Sequence, residues 1–165
     1  MIKILFQGDS ITDVRRNKEE PTAPNGMGSG YPLLLKARLN YEEPGKYEIR
    51  NLGISGNRVV DLYARMQRDI LNIRPDILSI LLGVNDVWHG LREDPNGVSA
   101  DKFERVYDWM IREIQEALPA TKIMILEPFV LPGRATLVEE DPSKWAGFST
   151  EVPLRAAAEI GRAHV

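Results

Sequence analysis

Four short apolar runs recur along the chain: Lys3–Gln7, Tyr47–Asn51, Asp76–Leu82 and Lys122–Glu127. They read as buried strands, and each is followed by a loop and a segment of helical period. Tyr31–Asn40 has Pro32 where a first helical turn tolerates it, then Leu33, Leu34, Leu35 and Leu39. Val59–Ile73 sets Leu62, Tyr63, Met66 and Ile70 on one stripe. In Ser99–Leu118, Ser99 can cap a helix whose Phe103, Val106, Tyr107, Met110, Ile111, Ile114 and Leu118 keep the 3.6 period until Pro119 ends it. Trp109, flanked by that stripe, reads as half-buried packing. A last helix is expected from near Ser149, with Leu154, Ala157 and Ala158. Apolar strands alternating with amphipathic helices predict an α/β fold whose parallel sheet is covered on both faces. Such sheets bind ligands at the carboxyl ends of their strands, beside the point where strand order reverses.

Composition narrows the classes. A chain of 165 residues suits one domain, and 43% hydrophobic with 27% charged residues excludes disorder. The formal charge of −3 gives no basic field, so neither nucleic acid nor membrane is expected as a partner. Arg15-Arg16-Asn17-Lys18, followed by Glu19-Glu20, reads as a solvated loop. There is no cysteine, hence no disulfide, no thiolate metal site and no cysteine nucleophile. The opening run Ile2–Phe6 is too short to span a membrane, and a cytoplasmic location is the expectation. Oligomeric state is left open, a homo-oligomer included.

Candidate chemistry lies in the loops after the first three strands: Gly8-Asp9-Ser10-Ile11-Thr12-Asp13, then Asn51-Leu52-Gly53-Ile54-Ser55-Gly56-Asn57-Arg58, then Gly83-Val84-Asn85-Asp86-Val87-Trp88-His89. All three fall at strand carboxyl ends and can meet in one crevice. Acyl transfer is the chemistry they could share. A serine attacks a carbonyl, and the developing oxyanion needs fixed donors. A glycine brings a backbone N–H close, and an asparagine amide adds a second donor. No Gly-x-Gly-x-x-Gly or Walker A pattern follows the first strand, and Asp9, Asp13 and Asp86 lack paired histidine spacing. No cofactor or metal is expected.

At these residues the chain resembles the SGNH (GDSL) hydrolases. Gly8-Asp9-Ser10, Gly56 and Gly83-Val84-Asn85-Asp86 look like the family's first three sequence blocks, and the wider match is similar to its intracellular acetylxylan-esterase-like branch. The resemblance implies a three-layer α/β/α, flavodoxin-like sandwich. It implies Ser10 as catalytic nucleophile, with the N–H groups of Ser10 and Gly56 and the Asn85 amide as the oxyanion hole. Gly56 is preferred to Gly53 because Ser55-Gly56 matches the block better. Asp9, Trp88 and His89 are assigned to substrate binding, and the substrate would be a small acyl ester or acetylated sugar.

The family completes its triad with an Asp-x-x-His block near the C-terminus. Here His164 has Gly161 three positions before it, and His89 has Asp86, in a different loop. The residues Ile160-Gly161-Arg162-Ala163-His164-Val165 match one translated frame of a common short-read sequencing adapter. The expectation is therefore a hydrolase domain over residues 1–159 lacking its last strand and helix, a non-native tail over 160–165, and an inactive fragment. If the chain were nonetheless active, His89 paired with Asp86 would be the base. The alternatives are a lysophospholipase or thioesterase of the same family, or a non-catalytic flavodoxin-like binding module. The loop Thr136–Gly147, with Glu139, Glu140, Asp141, Lys144 and Trp145, suits a carbohydrate rim better than a long acyl groove.

Overall fold

The protein is described here from a computed structural model covering residues 1–21, 23–136 and 141–160. The expected carbohydrate-rim residues Glu139 and Glu140, and the tail beyond 160, lie outside that range. In chain order the main elements are β1 (Ile2–Gly8), α1 (Ser10–Asp13), α2 (Tyr31–Glu42), β2 (Tyr47–Asn51), α3 (Val59–Met66), β3 (Ile77–Leu81), α4 (Val84–Trp88), α5 (Ala100–Ala117), β4 (Lys122–Leu126) and α6 (Pro142–Ile160). The strands are all parallel, in the order β2-β1-β3-β4. The chain leaves β1 toward β2 and later returns to the other side of β1 as β3. The switch point therefore opens between the carboxyl ends of β1 and β3.

Alternation along β1 divides the core. Leu5 faces Leu62, Met66, Phe103, Met110 and Ile114 of α3 and α5, together with Leu78 and Ile80 of β3. Ile4 and Phe6 turn the other way, to Ile49, Met27 and the partly buried Tyr31, Leu33 and Leu39 of α2. Each such side chain taken fully out of water contributes about 1.5–3 kcal/mol, so this two-faced burial sustains the three layers. Ser99 caps α5 as expected, its Oγ accepting from the Lys102 N–H at 3.4 Å.

Several expectations need correction. Helix α6 begins at Pro142, earlier than Ser149: Asp141 accepts from the Ser143 hydroxyl and the Lys144 N–H, and Pro142 suits a first position. Pro153, which would normally break a helix, lies inside it. Lys144 and Trp145 therefore belong to a helix and not to a loop. Trp109 is 54% exposed, so it packs less than its neighbours in sequence suggest. Leu34 and Leu35 also point outward from α2. Helix α3 ends at Met66 and continues as a π-helical turn over Gln67–Leu71.

Candidate active site

The first loop presents Ser10. Asp9 caps α1 by accepting from the Ile11 N–H at 2.9 Å, which leaves Ser10 exposed as the helix's first residue. Asp9, expected to meet substrate, is only 1% exposed and instead shapes the serine's turn. Burial pushes its carboxyl up to about 6, against the Ile11 N–H and the neighbouring Asn85 amide, which favour the ionised form.

The second loop is tied down from below. The Asp13 carboxylate accepts from both the N–H and the hydroxyl of Ser55, each at 2.8 Å, and pairs with Lys18 at 3.1 Å. Burial works against its charge, but these partners hold it below the usual carboxylate range. Arg16 is buried and donates through Nε to the Gly53 carbonyl at 2.8 Å. The basic cluster is thus partly structural, a correction to the solvated-loop reading. Asn51 donates to the carbonyls of Thr12 and Met27 and accepts from the Gly53 N–H. That last bond removes Gly53 as an oxyanion donor. The Gly56 N–H, by contrast, has no hydrogen-bond partner among the described residues. Gly56 takes φ +84°, a conformation that favours glycine, although a Cβ there would meet nothing within 4 Å.

The third loop reaches across to the second. Asn85 donates through Nδ2 to the Asn57 carbonyl at 3.2 Å. Asp86, 1% exposed, accepts from the Val59 N–H at 3.1 Å, and burial raises its carboxyl to about 7. His89 Nε2 lies 3.1 Å from the Gly56 carbonyl oxygen. Its pKa is lowered, first by burial and then by Arg92 and Arg58. Asp86 is engaged with Val59 and makes no hydrogen bond to His89, so the fallback Asp86–His89 pair is not formed. Trp88 is half-buried against Phe148, ring centroids 5.2 Å apart, in a cluster shared with Trp145 and Val152. Ser10, Gly56 and Asn85 therefore stand on loops cross-bonded into one crevice.

Sequence reading missed the support beneath. Gln7 is fully buried, donating to the Asp69 carbonyl and accepting from Arg65, whose Nε also donates to the Asn57 side chain. The one polar side chain ending an apolar strand was the available signal, together with the Arg65–Asp69 pair four residues apart. Also missed was Glu159, fully buried with Tyr107 and Arg155 and raised to about 9 by burial and by Asp86 and Glu127. A cavity of 460 Å³ lies behind α4, lined by Asp86, Leu91, Val98, Glu151 and Arg155. It does not reach Ser10. Among the described residues no cluster of His, Cys, Asp or Glu is arranged to hold a metal, and no helix is long and apolar enough to cross a membrane.

A parallel sheet in this order, with a serine turn at the switch point and donors from the two adjoining loops, defines an α/β protein built on the GDSL hydrolase plan. The chain belongs to the GDSL-like lipase/acylhydrolase family, whose model matches residues 6–160. It is 35% identical over 150 residues to an acetylxylan esterase of Geobacillus stearothermophilus, an alignment covering 86% of this chain. The chain spans 64% of that relative's length. Among solved structures, a lipase-like GDSL protein of Parabacteroides merdae superposes with a TM-score of 0.84 at 36% identity, covering 95% of this chain and 70% of the other. The G. stearothermophilus esterase gives 0.76 at 31%, covering 97% and 72%. Solved catalytic mutants of that esterase replace a serine, an aspartate and a histidine.

Proposed function

We propose that the chain carries the nucleophile and oxyanion hole of a serine esterase acting on short acyl esters, acetylated sugars above all. The observation that carries this is the exposed Ser10, a Gly56 N–H with no acceptor among the described residues, and an Asn85 amide that donates to the Asn57 carbonyl and neighbours Asp9. Ser10 Oγ attacks the acyl carbon while a base takes its proton. The carbonyl oxygen becomes an oxyanion received by the N–H groups of Ser10 and Gly56 and by Asn85. Collapse expels the sugar alcohol with that proton, and water then releases the carboxylate from the acyl-serine. The acetylxylan esterase relative supports the acetyl-sugar assignment. Among the described residues the one Asp-x-x-His spacing is Asp86-x-x-His89, whose side chains make no hydrogen bond to each other, and the His89 ring lies against a carbonyl. Turnover in plain buffer is therefore expected to be residual.

The test supplies a base as free imidazole. Hydrolysis of p-nitrophenyl acetate and of acetylated xylosides should rise with imidazole beyond the protein-free rate, and Ser10→Ala should remove that increment. An increment surviving in Ser10→Ala would discard Ser10 as nucleophile. Strong turnover without imidazole would return His89 to consideration as the base. One feature favours the lysophospholipase or thioesterase reading: Phe129 and Leu131, 54% and 69% exposed after β4, offer an apolar lip. Preference for octanoyl over acetyl esters would select it.

A further inference from the structure

Helix α4 and the residue that caps its end aim two side chains one turn apart, Asn85 and His89, at two consecutive carbonyls of the facing loop, those of Asn57 and Gly56. A carbonyl can only accept, so the His89 ring must carry its proton on Nε2. The bonded oxygen belongs to the residue whose N–H is the uncommitted oxyanion donor. Gly56 has a left-handed φ of +84° and open space around it, so packing does not fix its peptide planes. The turn bond from the Asn57 N–H to the Ile54 carbonyl and the hydrogen bond from His89 do.

Resting on the esterase reading above, the geometry points to His89 as a positioning residue that, together with the Ile54–Asn57 turn bond, steadies the Gly56 backbone and through it the neighbouring N–H by holding the Gly56 carbonyl, in place of the substrate-binding role expected from sequence. The neighbouring bonds agree with this. Ser55, just before Gly56, is anchored by Asp13, and Val59, three residues after, by Asp86. Gly56 and Asn57 form the span between those anchors, where the Asn57 N–H donates to the Ile54 carbonyl at 3.1 Å and the Asn85, His89 and Arg65 side chains also reach. A lowered His89 pKa keeps the ring neutral near pH 7, which limits repulsion from the nearby Arg58 and Arg92. His89 touches neither substrate nor nucleophile in this role.

The probe is phenylboronic acid, whose boron takes Ser10 Oγ as fourth ligand. The serine proton passes to solvent, and the resulting boronate oxygen sits in the oxyanion hole. His89→Leu should weaken boronate binding about tenfold, the scale of a donor displaced by a fraction of an ångström. His89→Gln, whose amide nitrogen falls near the Nε2 position, should restore it to within about threefold. Wild-type affinity in His89→Leu, or no recovery in His89→Gln, would overturn the assignment. Nitrogen NMR of the unsubstituted chain is the second measurement, needing no variant to fold. A proton on Nε2 is expected, and an Nδ1-protonated ring would refute the bond. Ser10→Ala separates the two readings: persistent boronate binding there would fail the esterase reading, and the ring tautomer would then decide the His89 contact alone.

Discussion

On either side of β3 the sheet behaves differently. Toward β1 and β2, the carboxyl-end loops engage nearly every buried polar group with one another: Asp13 with Ser55, Arg16 with Gly53, Asn51 with Gly53, Asp86 with Val59. Toward β4 the pattern inverts. Its residues alternate between exposed and half-buried, Met124 is 54% exposed, and its outer edge has no strand partner among the described residues. The packed half fixes donors to within hydrogen-bonding tolerance and can therefore do chemistry. The open half contributes backbone pairing to β3 and little burial of its own.

Asn85→Ala is the largest expected effect within the packed half. Removing one oxyanion donor should lower Ser10-dependent, imidazole-assisted turnover by about 10²–10³, with KM little changed. The lost bond to Asn57 should cost only about 1 kcal/mol of stability. A loss confined to KM would mean that Asn85 binds substrate without favouring the transition state.

Acid–base behaviour sharpens the contrast. Asp9 and Asp86, in the packed half, are raised by burial to about 6 and about 7, and Glu159, buried on α6 and facing Glu127 beyond β4, is raised to about 9. A carboxyl raised on folding keeps its proton in the native state at pH values where the unfolded chain has lost it. Stability from these groups is complete below about pH 4 and is lost as pH rises toward 9. The lowered carboxyls Asp13, Asp61 and Asp69 act oppositely, losing their contribution as pH falls below the usual range. Maximum stability should therefore lie on the acid side of neutrality. Glu159→Gln should remove most of the decline between pH 7 and 9, a change on the order of 5 °C in melting temperature. A variant with an unaltered pH slope would show that Glu159 ionises freely.

The sequence showed the sheet and the order of its carboxyl-end loops clearly because both rest on local signals. Apolar runs marked the strands, and Ser10, Gly56 and Asn85 follow three of them directly. What stayed hidden depends on distant partners. Arg16 looked solvated because nothing local reveals the Gly53 carbonyl, 37 residues away, that it reaches. Asp9 looked like a substrate ligand because its burial comes from loops far along the chain. The start of α6 was masked by Gly147, a residue that local rules read as a helix breaker. His89 carried a false cue, its Asp86-x-x-His89 spacing, whereas its contact is across the crevice with Gly56.

The smallest expected effect lies at the open edge. Met124 is on the same sheet face as Ser79, its register partner in β3, and no helix side chain covers it as α2 covers Ile4 and Phe6. Met124→Lys removes an exposed thioether and places a charge beside unpaired backbone groups, a substitution that discourages strand addition by another chain. At an exposed position the stability change should stay within about 0.5 kcal/mol. Self-association, followed by light scattering against concentration, should fall while the melt is preserved. A melt lowered by more than about 5 °C would mean that Met124 is packed in solution, and the open half would then be as tightly built as the crevice.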